Sequence, residues 1–157
     1  MLDAVQTPTH QRYSLARMTP LNRLALIGNS LPRRCGIATF TTDLQQAISR
    51  SQGSIETAIV AMTDHGQTYD YPAVDKLQIN DQQLKEYARA AEFLNTGHFQ
   101  AVSLQHEFGI FGGEAGSHIM ALLPRLTVPV ITTLHTILAE PGAAQRMVLT
   151  GIIDSSS

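Results

Sequence analysis

The chain has 157 residues, 43% of them hydrophobic, which suits one globular domain and not comfortably two. Its formal net charge of -2 and sequence pI near 6.3 provide no basic excess for nucleic-acid binding. A single cysteine excludes an internal disulfide, and no stretch approaches the roughly 18 apolar residues of a membrane span. The N-terminal residues also lack the apolar segment of a signal peptide, so the sequence predicts a cytoplasmic protein that does not span a membrane.

The composition along the chain predicts one domain with short flanking segments. Residues 1–20 are polar, contain Pro8 and Pro20 and show no period, so we expect a flexible N-terminal lead-in. Residues 21–153 are the predicted domain. Residues 154–157, an aspartate and three serines, are the expected disordered tail.

Short apolar runs alternate with segments of helical period. The predicted strands are residues 24–27, 55–62, 75–79, 99–104 and 128–134. The predicted helices are residues 37–50, 82–95, 116–123 and 142–153. Asp81 is the expected N-cap of the second helix and Pro124 the expected stop of the third. The alternation predicts an α/β fold, an open parallel sheet with right-handed crossovers and helices on both faces.

Three of these strands are followed by loops rich in polar residues and glycine. The strands are residues 24–27, 99–104 and 128–134. In open parallel sheets, ligands bind in the crevice beyond the carboxyl ends of the strands. We therefore expect the three loops to converge on one ligand.

The first loop, PRRCGIATF, leads into the first helix. Gly36 lies near the helix start, where free N–H groups and the helix dipole favour an anion, and Arg33 and Arg34 add charged donors for a phosphate. A tight turn with two solvated arginines explains the same residues equally well. The loop matches neither the Walker A pattern nor GxGxxG.

The second loop, QHEFGIFGGEAG, supplies the candidate catalytic residue His106, which is expected to point into the crevice. A satisfied core histidine is the competing interpretation. His106 and Glu107 begin like the zinc-protease pattern HExxH, but Ile110 replaces the second histidine, so no metal site is predicted. Gly112 and Gly113 belong to a glycine-rich stretch expected to approach or close over a ligand, although glycines also serve awkward turns.

The third loop begins with LHT at the end of TTLHT and offers His135 and Thr136. An imidazole beside hydroxyls suits a polyhydroxylated ligand. Hydroxyls at a strand end are also common as plain caps, so this signal is weak by itself.

Cys35 in the first loop raises a different possibility. A thiol between an arginine and a helix start could act as a nucleophile, with His106 or His135 as its base. A small residue that fills a tight turn is the simpler interpretation.

The three motifs together resemble the N-terminal domain of family-4 retaining glycosyltransferases of the GT-B fold. The resemblance is carried by PRRCGIATF, QHEFGIFGGEAG and TTLHT with LAEP behind it, and runs from about residue 24 to the last predicted helix. It implies a Rossmann-like domain that receives the acceptor and faces a second such domain across a cleft. It also implies a UDP- or GDP-linked sugar as co-substrate, with no cofactor and no metal.

Residue by residue, the resemblance implies these roles. Gly36 would reach the donor diphosphate across the cleft, and His106 would lie near the donor sugar and the reacting centre. Glu107 would sit beside His106, while His135 and Thr136 match the family's histidine–threonine pair.

The family's C-terminal domain, which holds the donor and carries an ExxxxxxxE glutamate pair, has no counterpart in these residues. The resemblance therefore predicts the acceptor-side half of a glycosyltransferase acting on a saccharide or other hydroxyl acceptor. We expect it to be inactive alone and to rely on a missing or separate C-terminal domain. Two alternatives stay open: a non-catalytic α/β module that binds sugar, phosphate or a partner, and a Cys35-dependent single-domain hydrolase.

Overall fold

The computed structural model describes residues 20–51 and 55–157 and confirms the predicted α/β fold, with five parallel strands in one sheet. The strands are β1 (Arg23–Gly28), β2 (Glu56–Thr63), β3 (Asp75–Asn80), β4 (Ala101–His106) and β5 (Val130–Leu134). The helices are α1 (Gly36–Ser51), α2 (Leu84–Thr96) and α3 (Ala143–Ser155), joined by 3-10 segments at Glu114–Ala121 and Leu123–Arg125. No helix in the described part of the chain is long and apolar enough to cross a membrane.

The sheet order, β3-β2-β1-β4-β5, places β1 at the centre. Ile27 pairs with Val60 of β2 on one side and Leu104 of β4 on the other. The chain adds strands first in one direction and then in the other, so the order reverses between β1 and β4. Ligands of doubly wound sheets bind at such a switch point, beyond the carboxyl ends of the strands.

Both faces of the sheet are covered, as a parallel sheet requires. The larger core lies under α2, α3 and the 3-10 segments and contains Ile27 and Leu104. The smaller core lies under α1 and contains Leu26 and Ala101. Because side chains alternate along a strand, consecutive residues at the end of β4 face opposite cores.

β4 lies two residues later than the predicted strand 99–104. Phe99 precedes the strand. Its ring is nevertheless buried, because it packs on the Phe93 ring of α2 with centroids 5.6 Å apart. Its apolar character therefore serves the α2 contact and not the sheet. The shift matters because Gln105 and His106 become strand residues and not loop residues.

Three local predictions on the helices are wrong. The expected third helix, 116–123, is instead the two 3-10 segments, and Pro124 lies inside the second one and does not stop the first. Asp81 does not cap α2, which begins at Leu84 after Gln83 without a side-chain cap hydrogen bond. β5 begins at Val130 and not at residue 128, because Pro129 has no N–H to donate to the sheet.

The C-terminal residues of the chain differ from the expectation. A disordered tail is predicted over 154–157, but α3 continues to Ser155, and the Ser157 N–H donates to the Val130 carbonyl at 2.9 Å. The Ser156 hydroxyl lies 2.8 Å from the Thr132 hydroxyl. The predicted lead-in, 1–20, lies outside the described residues apart from Pro20.

Candidate functional site

The loops that follow β1, β4 and β5 lie at one edge of the sheet, because these three strands are parallel neighbours. Backbone contacts join them: the His135 N–H donates to the His106 carbonyl at 2.9 Å, which holds the β5 loop against the end of β4. Gly28 ends β1 directly beside Gln105 of β4. The predicted convergence of the three loops therefore holds at the level of the backbone.

A buried glutamine, which the sequence analysis did not single out, organises the α1 side of this edge. The Gln105 amide nitrogen donates to the Ser103 hydroxyl at 2.9 Å, which leaves its oxygen 3.0 Å from Nε2 of His135. An amide oxygen only accepts, so His135 carries its proton on Nε2 and, when neutral, presents Nδ1 as an acceptor. The Phe40 ring of α1 packs edge-on against His135 with centroids 4.8 Å apart.

A second polar pair lies beside the first. The Thr136 hydroxyl donates to one oxygen of Glu107, and the Phe108 N–H donates to the other at 3.0 Å. Glu107, His135 and Thr136 are partly exposed and therefore accessible to a ligand. The structure thus brings together three of the residues predicted to bind the acceptor.

His106 does not join this group. Its side chain is fully buried on the opposite face of β4, among residues of the larger core. The Phe108 ring packs edge-on against it at 5.0 Å between centroids, and the Phe111 ring stacks on it at 5.9 Å with an interplanar angle of 10°. The expectation that this imidazole opens into the crevice is wrong for this arrangement; its predicted catalytic role stays a prediction.

Burial also determines the protonation of His106. Neither ring nitrogen has a hydrogen-bond partner in the described part of the chain. Loss of hydration disfavours the imidazolium and lowers the pKa of His106 to about 4, against a smaller opposite effect of the Glu107 carboxylate. The ring is therefore neutral at physiological pH.

The glycines of the second loop serve close packing more than flexibility. A Cβ at Gly112 would overlap the backbone carbonyl of Asp81 and lie 2.6 Å from Nδ1 of His118. Gly113 has a φ of 78°, a conformation that side chains other than glycine rarely adopt. Gly109 differs, because it is exposed and no atom of the described part of the chain lies within 4 Å of its would-be Cβ. Ligand binding by Gly112 and Gly113 stays a prediction, but the expected flexibility does not apply to Gly112.

The two arginines of the first loop have different surroundings. A guanidinium nitrogen of Arg33 lies 2.6 Å from a carboxylate oxygen of Asp64, and Arg33 also donates to Asn29. Arg34 is exposed and makes no side-chain hydrogen bond or ion pair with the described residues. Gly36 begins α1 and is exposed, and none of the residues that the structure describes lies within 4 Å of where its Cβ would be. Arg34 and Gly36 therefore remain available to an anion, whereas Arg33 is held by Asp64.

A second link ties the β1–α1 connection to the start of β3. The Ser30 hydroxyl donates to Oδ1 of Asp75 at 3.1 Å, while Oδ2 is buried without a partner among the described residues. Burial raises the pKa of Asp75 to about 6, partly offset by the hydrogen bond from Ser30. Asp75 is thus a carboxyl group whose pKa of about 6 lies well above its ordinary value.

Cys35 acts as a cap for α1. Its sulfur accepts from the Asn29 side-chain nitrogen at 3.2 Å and from the Ala38 N–H at 3.4 Å. Among the described residues, neither His106 nor His135 hydrogen-bonds to this sulfur. A cysteine nucleophile needs a base within reach, so the structure does not form the pair that the hydrolase hypothesis requires.

Metal ligands are not clustered in this region. Within residues 20–51 and 55–157, no group of three or more His, Cys, Asp or Glu side chains is placed to hold a metal ion. Ile110, at the position where HExxH has its second histidine, is buried in the larger core.

The packing of Gly112 predicts a large effect of a single methyl group. Gly112→Ala should lower the free energy of unfolding by at least about 3 kcal/mol, because the new Cβ would overlap the Asp81 carbonyl. Gly109→Ala, in the same loop, should change it by less than about 0.5 kcal/mol. Urea unfolding of both variants checks this, and equal effects would contradict the assignment.

The buried groups predict opposite pH dependences of stability. For His106, the unfolded chain binds more protons between about pH 4 and pH 6.5, so its contribution is lost as pH falls through this window. For Asp75, the folded chain binds more protons between about pH 4 and pH 6, so its contribution is lost as pH rises. The two effects offset each other in the unmodified protein.

Replacing either group should reveal the pH dependence of stability that the other group causes. For each variant, the quantity of interest is its free energy of unfolding minus that of the unmodified protein. For His106→Leu this difference should be about 2 kcal/mol more favourable at pH 4.5 than at pH 7. For Asp75→Asn it should be more favourable at pH 7 than at pH 4.5, by a similar amount. Urea unfolding across this range measures both differences. Stability curves that run parallel to that of the unmodified protein would show that the two groups are not buried as described.

Comparison with known proteins shows the fold. No protein-family model matches the chain, and no curated protein matches it. A solved structure that it resembles is an alpha-glucosyltransferase in complex with UDP and a 13-mer DNA containing a HMU base, with a TM-score of 0.57 and 14% sequence identity. The match covers 85% of this chain and 36% of that one, so the chain spans about a third of the glucosyltransferase. The chain therefore has a glycosyltransferase-like, Rossmann-like α/β fold.

Proposed function

We propose that this chain is the acceptor-side domain of a retaining glycosyltransferase that transfers a sugar from a UDP- or GDP-linked donor to a saccharide or other hydroxyl acceptor. Two neighbouring hydrogen-bonded pairs at the switch point carry the proposal. One pair is Gln105 with His135, and the other is Glu107 with Thr136. The shared fold with a UDP-bound glucosyltransferase supports the same class of reaction.

The acceptor would bind on the α1 side of the edge. Glu107 and Thr136 already form a hydrogen bond, and each retains lone pairs that can accept from sugar hydroxyls. His135 is oriented by Gln105, which fixes the ring and leaves Nδ1 as an acceptor. A rigid set of polar groups of this kind suits a polyhydroxylated ligand, because few side chains lose freedom on binding.

The donor diphosphate would bind near the start of α1. The first N–H groups of a helix have no partner within the helix, and the dipole favours negative charge there. Gly36 allows close approach, and Arg34 supplies an uncommitted positive charge. Arg33 would act indirectly, by fixing the loop through Asp64.

His106 retains its proposed role near the reacting centre under one condition. The Phe108 and Phe111 rings, which now cover the imidazole, would have to move for a ligand to reach it. Otherwise only its backbone carbonyl, which accepts from the His135 N–H, acts at this edge.

Turnover would require a second Rossmann-like domain. Departure of a nucleoside diphosphate needs positive groups or dipoles aimed at the developing charge, and one arginine with one helix start supplies little of this. In the proposed enzyme, a donor-side domain supplies the rest. Neither a metal nor a cofactor takes part in the proposed reaction.

A non-catalytic module that binds sugar or phosphate is the second candidate. One observation favours it: the His106 side chain is completely buried, on the face of β4 opposite to the polar residues of the α1 side. Both candidates require ligand binding at the same edge, but only the first requires transfer when a donor-side domain is supplied.

Binding tests the site. Isothermal titration with oligosaccharides and with UDP should detect binding with dissociation constants near 1 mM or below. His135→Ala should weaken saccharide binding by about tenfold, since an oriented hydrogen bond is lost. Gln78→Ala, on the exposed edge strand β3, is the control and should change nothing. Saccharide binding that is unaffected by His135→Ala would refute the proposed site.

Transfer tests the reaction class. The chain alone should transfer no sugar from UDP-glucose or GDP-mannose, whereas addition of a donor-side GT-B domain should restore transfer with retained configuration. His106→Ala should then abolish transfer and leave saccharide binding unchanged. Binding without transfer under every combination would favour the non-catalytic module.

A further inference from the structure

A buried tyrosine of α2 reaches the loop that follows β4. Tyr87 is fully buried, and its hydroxyl donates to the Asp81 carbonyl at 3.0 Å and accepts from the Gly112 N–H at 3.1 Å. The hydroxyl thus uses its one proton and one of its lone pairs at the same time. A buried hydroxyl with both partners satisfied has one orientation, so it acts as a fixed bridge between α2 and the loop.

His118 completes the bridge from the other side. Its Nδ1 lies 3.0 Å from the Asp81 carbonyl oxygen, and its backbone N–H donates to the Gly112 carbonyl at 2.9 Å. Its ring also packs edge-on against Tyr87, with centroids 6.0 Å apart. Both polar backbone groups of Gly112 are therefore held, and the absence of a Cβ lets the loop approach Asp81.

The bridge fixes the neighbour of Gly112, which is Phe111. Phe111 is almost completely buried, and its ring lies nearly parallel to the His106 imidazole. A shift of Gly112 away from α2 would carry Phe111 off the imidazole. Gly109, three residues before Gly112, differs, because it is exposed and none of the described residues lies within 4 Å of its would-be Cβ.

We propose that Tyr87 is a positioning residue for the β4 loop, and that its hydroxyl holds Phe111 closed over His106. Release of this hydrogen bond opens the loop and admits water or ligand to the imidazole. The consequence for catalysis rests on the proposed function, because it requires His106 to act at the reacting centre. The mechanical claim does not, because it concerns only the contact between α2 and the loop.

Titratable groups lie beside both residues of this bridge. Glu107 and His135 influence His106, and Asp81 and Glu86 influence Tyr87, whose ring also packs against the His118 imidazole. Tyr87→Phe changes none of them. A change in the titration of His106 in this variant therefore reports movement of the loop and not a removed charge.

Tyr87→Phe tests the proposal, with Tyr71→Phe as the matched control. The Tyr71 hydroxyl also donates to a backbone carbonyl, that of Met62 at 3.0 Å, but it belongs to the smaller core under α1. In Tyr87→Phe, NMR titration should show the pKa of His106 raised by about one unit or more from about 4, because water reaches the ring. Exchange of the Gly112 amide should accelerate by about tenfold or more. Tyr71→Phe should alter neither.

A folded Tyr87→Phe variant with an unchanged His106 titration and an unchanged Gly112 exchange rate would overturn the proposal. If that variant does not fold, amide exchange in the unmodified chain still tests the proposal. Its Gly112 amide should exchange far more slowly than its Gly109 amide, and similar rates would refute the fixed bridge. None of these readouts needs a ligand, so failure of the proposed function, seen as absent saccharide binding, is a separate result.

Discussion

The close approach of β1, β4 and α1 at Gly28 is the contact on which the candidate site depends. A Cβ at this position would lie 3.0 Å from Cβ of Gln105 and 3.2 Å from the Thr41 hydroxyl. A side chain here would require Gln105 and Thr41 to move by a few tenths of an ångström, so glycine suits the close approach of the first helix to the switch point. The helix start, the β4 end and the β5 loop are thereby brought to one side of the sheet, where Phe40 of the helix also contacts His135.

The two-residue period of a strand divides the chemistry of the β4 end between two faces. Gln105 faces α1 and holds His135, whereas His106 faces the larger core and is covered by aromatic rings. The face towards α1 therefore presents polar groups to a ligand. On the face towards the larger core, the neutral His106 imidazole is covered by the β4 loop. If His106 takes part in chemistry, access to it depends on the loop and not on the open crevice.

The sequence predicts the strands, the sheet type and the edge at which the loops meet, because these follow from local periodicity and general topology. It does not predict the face to which His106 points, since that depends on β4 ending at residue 106 and not at 104. Nor does it predict that Arg33 pairs with Asp64 or that Gly112 packs on Asp81, both about 30 residues away. Such contacts arise from tertiary packing, which leaves no local pattern in either segment. Gln105 could have been noticed as the neighbour of a strand-end histidine, which by alternation faces the other way.

Amide chemical shifts of the labelled chain during titration with UDP and with a saccharide test the account most directly. The account predicts that the largest changes fall on Gly36, His135 and Thr136, while Gln78 on the β3 edge stays unchanged. Changes concentrated along β3, or none up to about 5 mM ligand, would contradict a ligand site at the meeting point of β1, β4 and β5.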